Sequence, residues 1–181
     1  MTKYAVLLRG INVGGKNPVP MARLREVLGE LGYEDVATYI ASGNVVLTSD
    51  HDPERIKRDI EALLPKAFRL DTELVAVLVL TAAQVQAVVA DRPPGFGDEP
   101  GVYHSDVIFL MGIDATEAMR AFDPRPGVDA IWPGDGVIYS QRLSAQRTKS
   151  RLNKMMASPL YRSMTIRNWA TTTKLAELLT G

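Results

Sequence analysis

One order of elements is written twice along this chain: strand, helix, strand, strand, helix, strand, then a closing helix. That repetition constrains the fold more than any single motif. In the first copy, Lys3–Arg9 is a short apolar run ending at Gly10 and reads as a buried strand. Met21, Leu24, Leu28 and Leu31 recur at helical spacing between Pro20 and Gly32, which start and stop a helix. Val36–Ile40 and Val45–Thr48 are strand-like and flank the turn residues Ala41-Ser42-Gly43-Asn44, a hairpin. Ile56, Ile60, Leu63, Leu64 and Ala67 form an apolar helical stripe opened by Asp52-Pro53 and expected to stop near Pro65. Leu74–Leu80 is a β-branched run, and Thr81-Ala82-Ala83-Gln84 is a capping box opening a helix to about Ala90.

A stretch rich in proline and glycine, residues 93–101, then predicts a linker between a first subdomain, 1–92, and a second, 102–181. After it the order returns. Asp106–Met111 is a strand, and Asp114-Ala115-Thr116-Glu117 caps a short helix. Val128–Trp132 and Val137–Ser140 flank the hairpin turn Pro133-Gly134-Asp135-Gly136. A helix is expected from about Thr148 to Ala157, then a strand over Met164–Arg167 and a closing helix over Thr171–Leu179. Only the element order repeats, not the residues. The fold class that follows is α+β, two ferredoxin-like βαββαβ subdomains with antiparallel sheets in the order 4-1-3-2, each followed by an extra helix.

That topology makes a prediction about function. It places the loop after the first strand and the first hairpin at one edge of a sheet, collecting Arg9, Asn12, Lys16, Asn17, Ser42 and Asn44. In the second half the opposite edge collects Lys149, Arg151, Arg167, Asn168 and the start of the last helix. The formal net charge is zero, yet residues 1–25 hold five basic and no acidic side chains. Residues 26–135 carry a net charge of −12, from 8 basic and 20 acidic groups, and residues 136–181 a net of +7, from 8 basic groups against Glu177. Basic ends that met in space would form a surface for phosphate or nucleic acid; paired with the acidic middle, they would be neutralised instead.

Gly10-Ile11-Asn12-Val13-Gly14-Gly15-Lys16-Asn17 follows a strand and nearly matches the P-loop pattern. Asn17 stands where a magnesium-binding hydroxyl is required, and Pro18 and Pro20 prevent a helix from starting after Lys16, so an NTPase is rejected. Exposed glycine amides beside Arg9 and Lys16 still suit a phosphate or carboxylate. Arg167-Asn168-Trp169 followed by Thr171-Thr172-Thr173-Lys174 ends a strand in polar groups and opens a helix whose first amides attract anions. Thr171 also reads as a simple N-cap, and Trp169 as core. The two histidines, His51 and His104, lack metal-pair spacing, and neither stands near Ser42, so no metal, cofactor or Ser–His nucleophile is expected. There is no cysteine for a disulfide or thiolate zinc site. The aromatic signature of an RNA-recognition motif is absent despite the matching element order.

These residues resemble a known family. Tyr4-Ala5-Val6-Leu7-Leu8-Arg9-Gly10-Ile11-Asn12-Val13-Gly14-Gly15-Lys16-Asn17, with Val19-Pro20-Met21 and Leu24, is similar to the opening of the uncharacterised bacterial proteins called domain of unknown function 1697. Tyr39-Ile40 with Ser42-Gly43-Asn44-Val45-Val46, and Arg167-Asn168-Trp169 with Thr173-Lys174-Leu175, resemble that family's other recurring stretches. Ala41 and Ala170 depart from it, standing where a polar residue is more usual. The resemblance implies ferredoxin-like subdomains and carries no activity with it.

The expected function is binding of a phosphate-bearing ligand, a nucleic acid or a nucleotide-like small molecule, through Arg9, Asn12, Lys16, Asn17, Ser42, Asn44, Lys149, Arg167, Asn168 and Lys174. Two alternatives stand beside it: an enzyme acting on a small anionic substrate, and a protein-interaction module without catalysis. The first is weakened by the lack of an evident general base. The apolar run before Arg9 is too short for a signal-peptide core or a membrane span, so a cytoplasmic protein with no membrane partner is expected.

Overall fold

A computed structural model describes residues 1–181. The strands are β1 Thr2–Leu8, β2 Glu34–Tyr39, β3 Asn44–Ser49, β4 Val77–Thr81, β5 Tyr103–Leu110, β6 Asp129–Pro133, β7 Val137–Leu143 and β8 Met164–Asn168. The helices are α1 Met21–Glu30, α2 Pro53–Ala67, α3 Ala82–Ala90, α4 Ala115–Met119 and α5 Trp169–Leu178. The chain divides into two compact units, Met1–Gln86 with Leu175–Gly181, and Ala87–Lys174.

The first sheet runs β2-β3-β1-β4 and the second β6-β7-β5-β8, all neighbours antiparallel. This is the split βαβ arrangement expected of each half. In the first unit Val6, Leu8, Val45 and Leu47 of the sheet pack with Leu24 and Leu28 of α1 and Ile56, Ile60 and Leu64 of α2. In the second, Ile108, Leu110 and Ile138 pack with Ala118 of α4, Met155 and Met164.

Local signals set the helix starts. The Thr81 hydroxyl accepts from the Gln84 amide at 3.2 Å while Gln84 Oε1 accepts from the Thr81 amide at 2.9 Å, a reciprocal capping box. Asp52 and Asp114 cap α2 and α4 by accepting from the amides of Arg55 and Glu117.

The helix α2 ends at Ala67, near Pro65 as expected; a proline in the last turn costs one hydrogen bond rather than a helix. The structure corrects one expectation. Residues 148–157 are not an α-helix. Ser144–Lys149, Leu152–Ala157 and Pro159–Ser163 are separate 3-10 turns, broken where Ser150 and Ser158 turn extended. Ser150 donates to Asp129 Oδ1 at 2.6 Å and accepts from the Leu152 amide, and Ser158 accepts from the Leu160 amide. Serine hydroxyls at these breaks offer the backbone an alternative to the helical ladder. The proline- and glycine-rich stretch packs within the second unit through Phe96, which is buried edge-on to Trp132, Tyr139 and Trp169.

Candidate functional site

The end of β1 turns into a small hairpin instead of a phosphate-cradling loop. The Asn12 amide donates to the Asn17 carbonyl, and the Lys16 amide donates to the Val13 carbonyl, both at 3.0 Å. Gly14 and Gly15, at φ 58° and 75°, make the two-residue turn between them. Both turn residues need the left-handed region, which glycine enters without penalty. Asn12 and Asn17 also sit at positive φ, a conformation asparagine tolerates.

Both carboxamides hold this loop in place. Asn12 Nδ2 donates to the carbonyls of Val19 and Ala41 at 2.9 and 2.7 Å, and its Oδ1 accepts from the Val19 amide. The bond to Ala41 ties the loop to the β2–β3 hairpin. Asn17 is buried, donating to the Gly10 carbonyl and accepting from the Asp71 amide. In the hairpin, Asn44 is buried and donates to the Tyr39 carbonyl and to Ser42 Oγ. Arg9, Asn12, Lys16, Asn17, Ser42 and Asn44 are thus gathered at one end of the first sheet. Lys16 stands exposed at the tip, and Arg9 is half-buried.

In the second unit Asn168 caps α5, its Oδ1 accepting from the Thr171 amide at 2.8 Å. Arg167 is 7% exposed and donates to Thr165 Oγ1 and to the Ile166 carbonyl. Burial lowers its pKa to about 10. Lys174 is half-buried on α5, while Lys149 lies exposed in the 3-10 segment.

That segment is more basic than its helical reading suggested. Residues 142–163 hold six cations, Arg142, Arg147, Lys149, Arg151, Lys154 and Arg162, and no acidic residue. A 3-10 helix has three residues per turn, and Leu152 and Met155 are accordingly buried while Lys154 points to water. Asp123 lies 3.5 Å from Arg151 and 3.9 Å from Lys154. Arg147, Lys149 and Arg162 are exposed and carry neither an ion pair nor a side-chain hydrogen bond.

A second arrangement was not anticipated from sequence. On β5, His104 Nε2 lies 3.1 Å from Asp106 Oδ2. Burial raises the Asp106 pKa above the ordinary carboxylate value, with His104 and Arg142 opposing the shift. Their spacing of two places both side chains on one face of a strand, the signal that would have paired them. Beside them a cleft of about 310 Å³ is lined by Gly97, Tyr103, His104, Ser105, Asn168 and Trp169 among others. Ser105 Oγ accepts from Gln141 Nε2 at 3.2 Å. No helix is long and apolar enough to cross a membrane.

Comparison with known proteins places this geometry in a wider group without assigning it a task. A family model described as a protein of unknown function, DUF1697, matches residues 1–139. The solved structure of the conserved bacterial protein SP0830 from Streptococcus pneumoniae is similar with a TM-score of 0.82 and 28% identity, over 98% of each chain. No curated protein matches the chain.

Proposed function

Because this chain belongs to the DUF1697 family, whose description carries no activity, we propose from its own residues that it binds a phosphate-bearing ligand, a nucleic-acid backbone in particular. The observation that carries this reading is the trio Arg147, Lys149 and Arg162: exposed, without an anionic partner, on one acid-free segment. Cations kept in water without a protein carboxylate retain their attraction for an external anion, and a backbone of regularly spaced phosphates engages several at once. Lys16 supports the reading from the first unit, since its two-residue turn presents the ammonium in water from a hydrogen-bonded base. Asn12, Asn17 and Asn44 serve by fixing the end of the sheet on which Arg9, Lys16 and Ser42 stand. Arg167, buried in β8, donates to Thr165 Oγ1 and the Ile166 carbonyl and so supports the strand that ends at Asn168.

Fluorescence anisotropy with short single-stranded DNA and RNA across a salt series tests this. The logarithm of affinity should fall linearly with the logarithm of salt, by about 0.7 per phosphate neutralised. Replacing Arg147, Lys149 and Arg162 together by Ala should flatten the slope by about 0.7 for each phosphate left without its cation. Binding that ignores salt, or an unchanged slope in the triple variant, refutes the assignment.

A further inference from the structure

We infer that the cleft beside β5 is a site for a planar nitrogen heterocycle of the nucleobase class. This goes beyond the phosphate reading and does not depend on it, because a free nucleoside carries no phosphate. The cleft is concave and small, about 310 Å³, at the lower end of the size range for small-molecule sites. Two of its walls are aromatic, Tyr103 and Trp169.

The indole is held before any ligand arrives. Phe96 packs against it at 5.3 Å and 85°, and the Arg92 guanidinium lies 5.6 Å from its ring centroid. Gly97 lies so close that a Cβ there would sit 2.3 Å from Trp169 Cδ1, so only glycine allows this approach. Arg92 is itself fixed by Asp98 and by the Phe96 carbonyl. A ring preordered in this way offers a stacking surface without further ordering cost, and every nucleobase has a π-face to use it.

The polar groups in the wall supply a donor and an acceptor. Asn168 spends Oδ1 on the Thr171 amide, which leaves its Nδ2 donor without a protein partner. His104 uses Nε2 towards Asp106, so in the neutral imidazole the hydrogen sits on Nε2 and Nδ1 is left as an acceptor. A donor and an acceptor beside an aromatic wall complement a heterocycle whose edge carries an acceptor and a donor. A plain carboxylate would leave the ring surface unused.

The test uses the whole chain and the four ribonucleosides, read by isothermal titration calorimetry, with single-stranded oligonucleotides as a separate arm. Asn168→Asp keeps an oxygen to cap α5, removes the amide donor and adds one negative charge; His104→Phe keeps a ring and removes the acceptor. Saturable nucleoside binding, weakened about tenfold in Asn168→Asp with the melting temperature unchanged, is the expected result, since one hydrogen bond is worth about that factor. Binding seen only with oligonucleotides and weakened by both Asn168→Asp and His104→Phe would assign the ring to a base within a strand, since His104→Phe adds no negative charge to repel the phosphates. Absence of saturation in both arms, or affinities unchanged in both variants, overturns the site. The joint replacement of Arg147, Lys149 and Arg162 by Ala, which tests phosphate binding, should leave the affinity for phosphate-free nucleosides untouched, so failure of the two readings can be told apart.

Discussion

Asn17 and Asp71 exchange hydrogen bonds in both directions: the Asn17 amide donates to Asp71 Oδ2 at 2.6 Å, and the Asp71 amide donates to Asn17 Oδ1 at 2.8 Å. Residues far apart in sequence thereby lock the base of the Gly14-Gly15 turn. Asn17 is buried and left-handed, at φ 48°. Asn17→Ala removes the acceptor of the Asp71 amide and places a less tolerant residue at positive φ. The expected cost is about 1–3 kcal/mol, seen as a lower denaturant midpoint at unchanged slope. Lys16→Ala, next door but exposed, should stay within about 0.5 kcal/mol of the parent. Equal destabilisation in the two variants would mean that the exchange does not hold the loop.

The Tyr139 hydroxyl caps a helix end. It donates to the Val88 carbonyl of α3, one of the last-turn acceptors that lack an intrahelical partner. Burial, and then the charge of Asp91, raise its pKa to about 12. Tyr139→Phe should therefore cost about 1–3 kcal/mol at neutral pH, because a buried carbonyl is left unpaired. A folded pKa above the unfolded value means that the contribution is complete below about pH 10 and is lost as pH rises through about 12. Absorbance titration of the folded protein should show late-ionising phenols, Tyr139 and also Tyr33, which burial beside Asp59 raises to about 12. In Tyr139→Phe one of these late steps should be missing.

What could be read from sequence was what neighbouring residues decide together. The Thr81–Gln84 box and the Asp52 and Asp114 caps each lie within a few residues and formed where expected, whereas the run Leu74–Leu80 becomes a strand only from Val77. The order of strands followed from the order of elements. The roles of Asn12, Asn17 and Asn44 were different: a carboxamide at a turn has the same sequence signature whether it meets a ligand or the Ala41 carbonyl. The helix expected over 148–157 gives way to 3-10 turns that break at Ser150 and Ser158, whose hydroxyl partners, Asp129 among them, come partly from elsewhere in the fold. The cleft was out of reach because Gly97, Tyr103 and Trp169 meet only after folding, although the His104–Asp106 spacing was visible all along.

Asp106 gives a pH test with a definite sign. Its pKa is raised chiefly by burial, with His104 and Arg142 opposing. The folded state therefore holds the proton more tightly than the unfolded chain. Stability from this group is complete below its unfolded value of 3.8 and is lost as pH rises through the folded value. Asp106→Asn has no charge to bury and escapes that loss. The variant's melting temperature, measured relative to the parent, should climb as pH increases from below 3.8 and then level off. A difference that falls with pH would mean that the pairing with His104 outweighs desolvation.

Gly43 and Gly14 both have positive φ, at 89° and 58°, yet they should respond differently to a side chain. A Cβ on Gly43 would sit 2.8 Å from the Leu8 carbonyl oxygen, a backbone atom of the central strand, in the same place where the Leu8 amide donates to the Gly43 carbonyl at 2.8 Å. Relieving that clash requires β1 and the hairpin to part. Gly14 has nothing within 4 Å of its Cβ position. Gly43→Ala should therefore destabilise by more than about 1 kcal/mol, combining left-handed strain with the clash. At roughly 2–4 °C per kcal/mol for a chain of this size, the change is visible in a melting curve. Gly14→Asn should cost less, because asparagine accepts the left-handed region and meets no neighbour. Because the Asn12–Ala41 bond depends on the same approach of loop and hairpin, Gly43→Ala should also speed hydrogen exchange at the Leu8 and Val19 amides. Gly14→Asn should leave both amides protected, and matched exchange in the two variants would show that Gly43 does not set the approach.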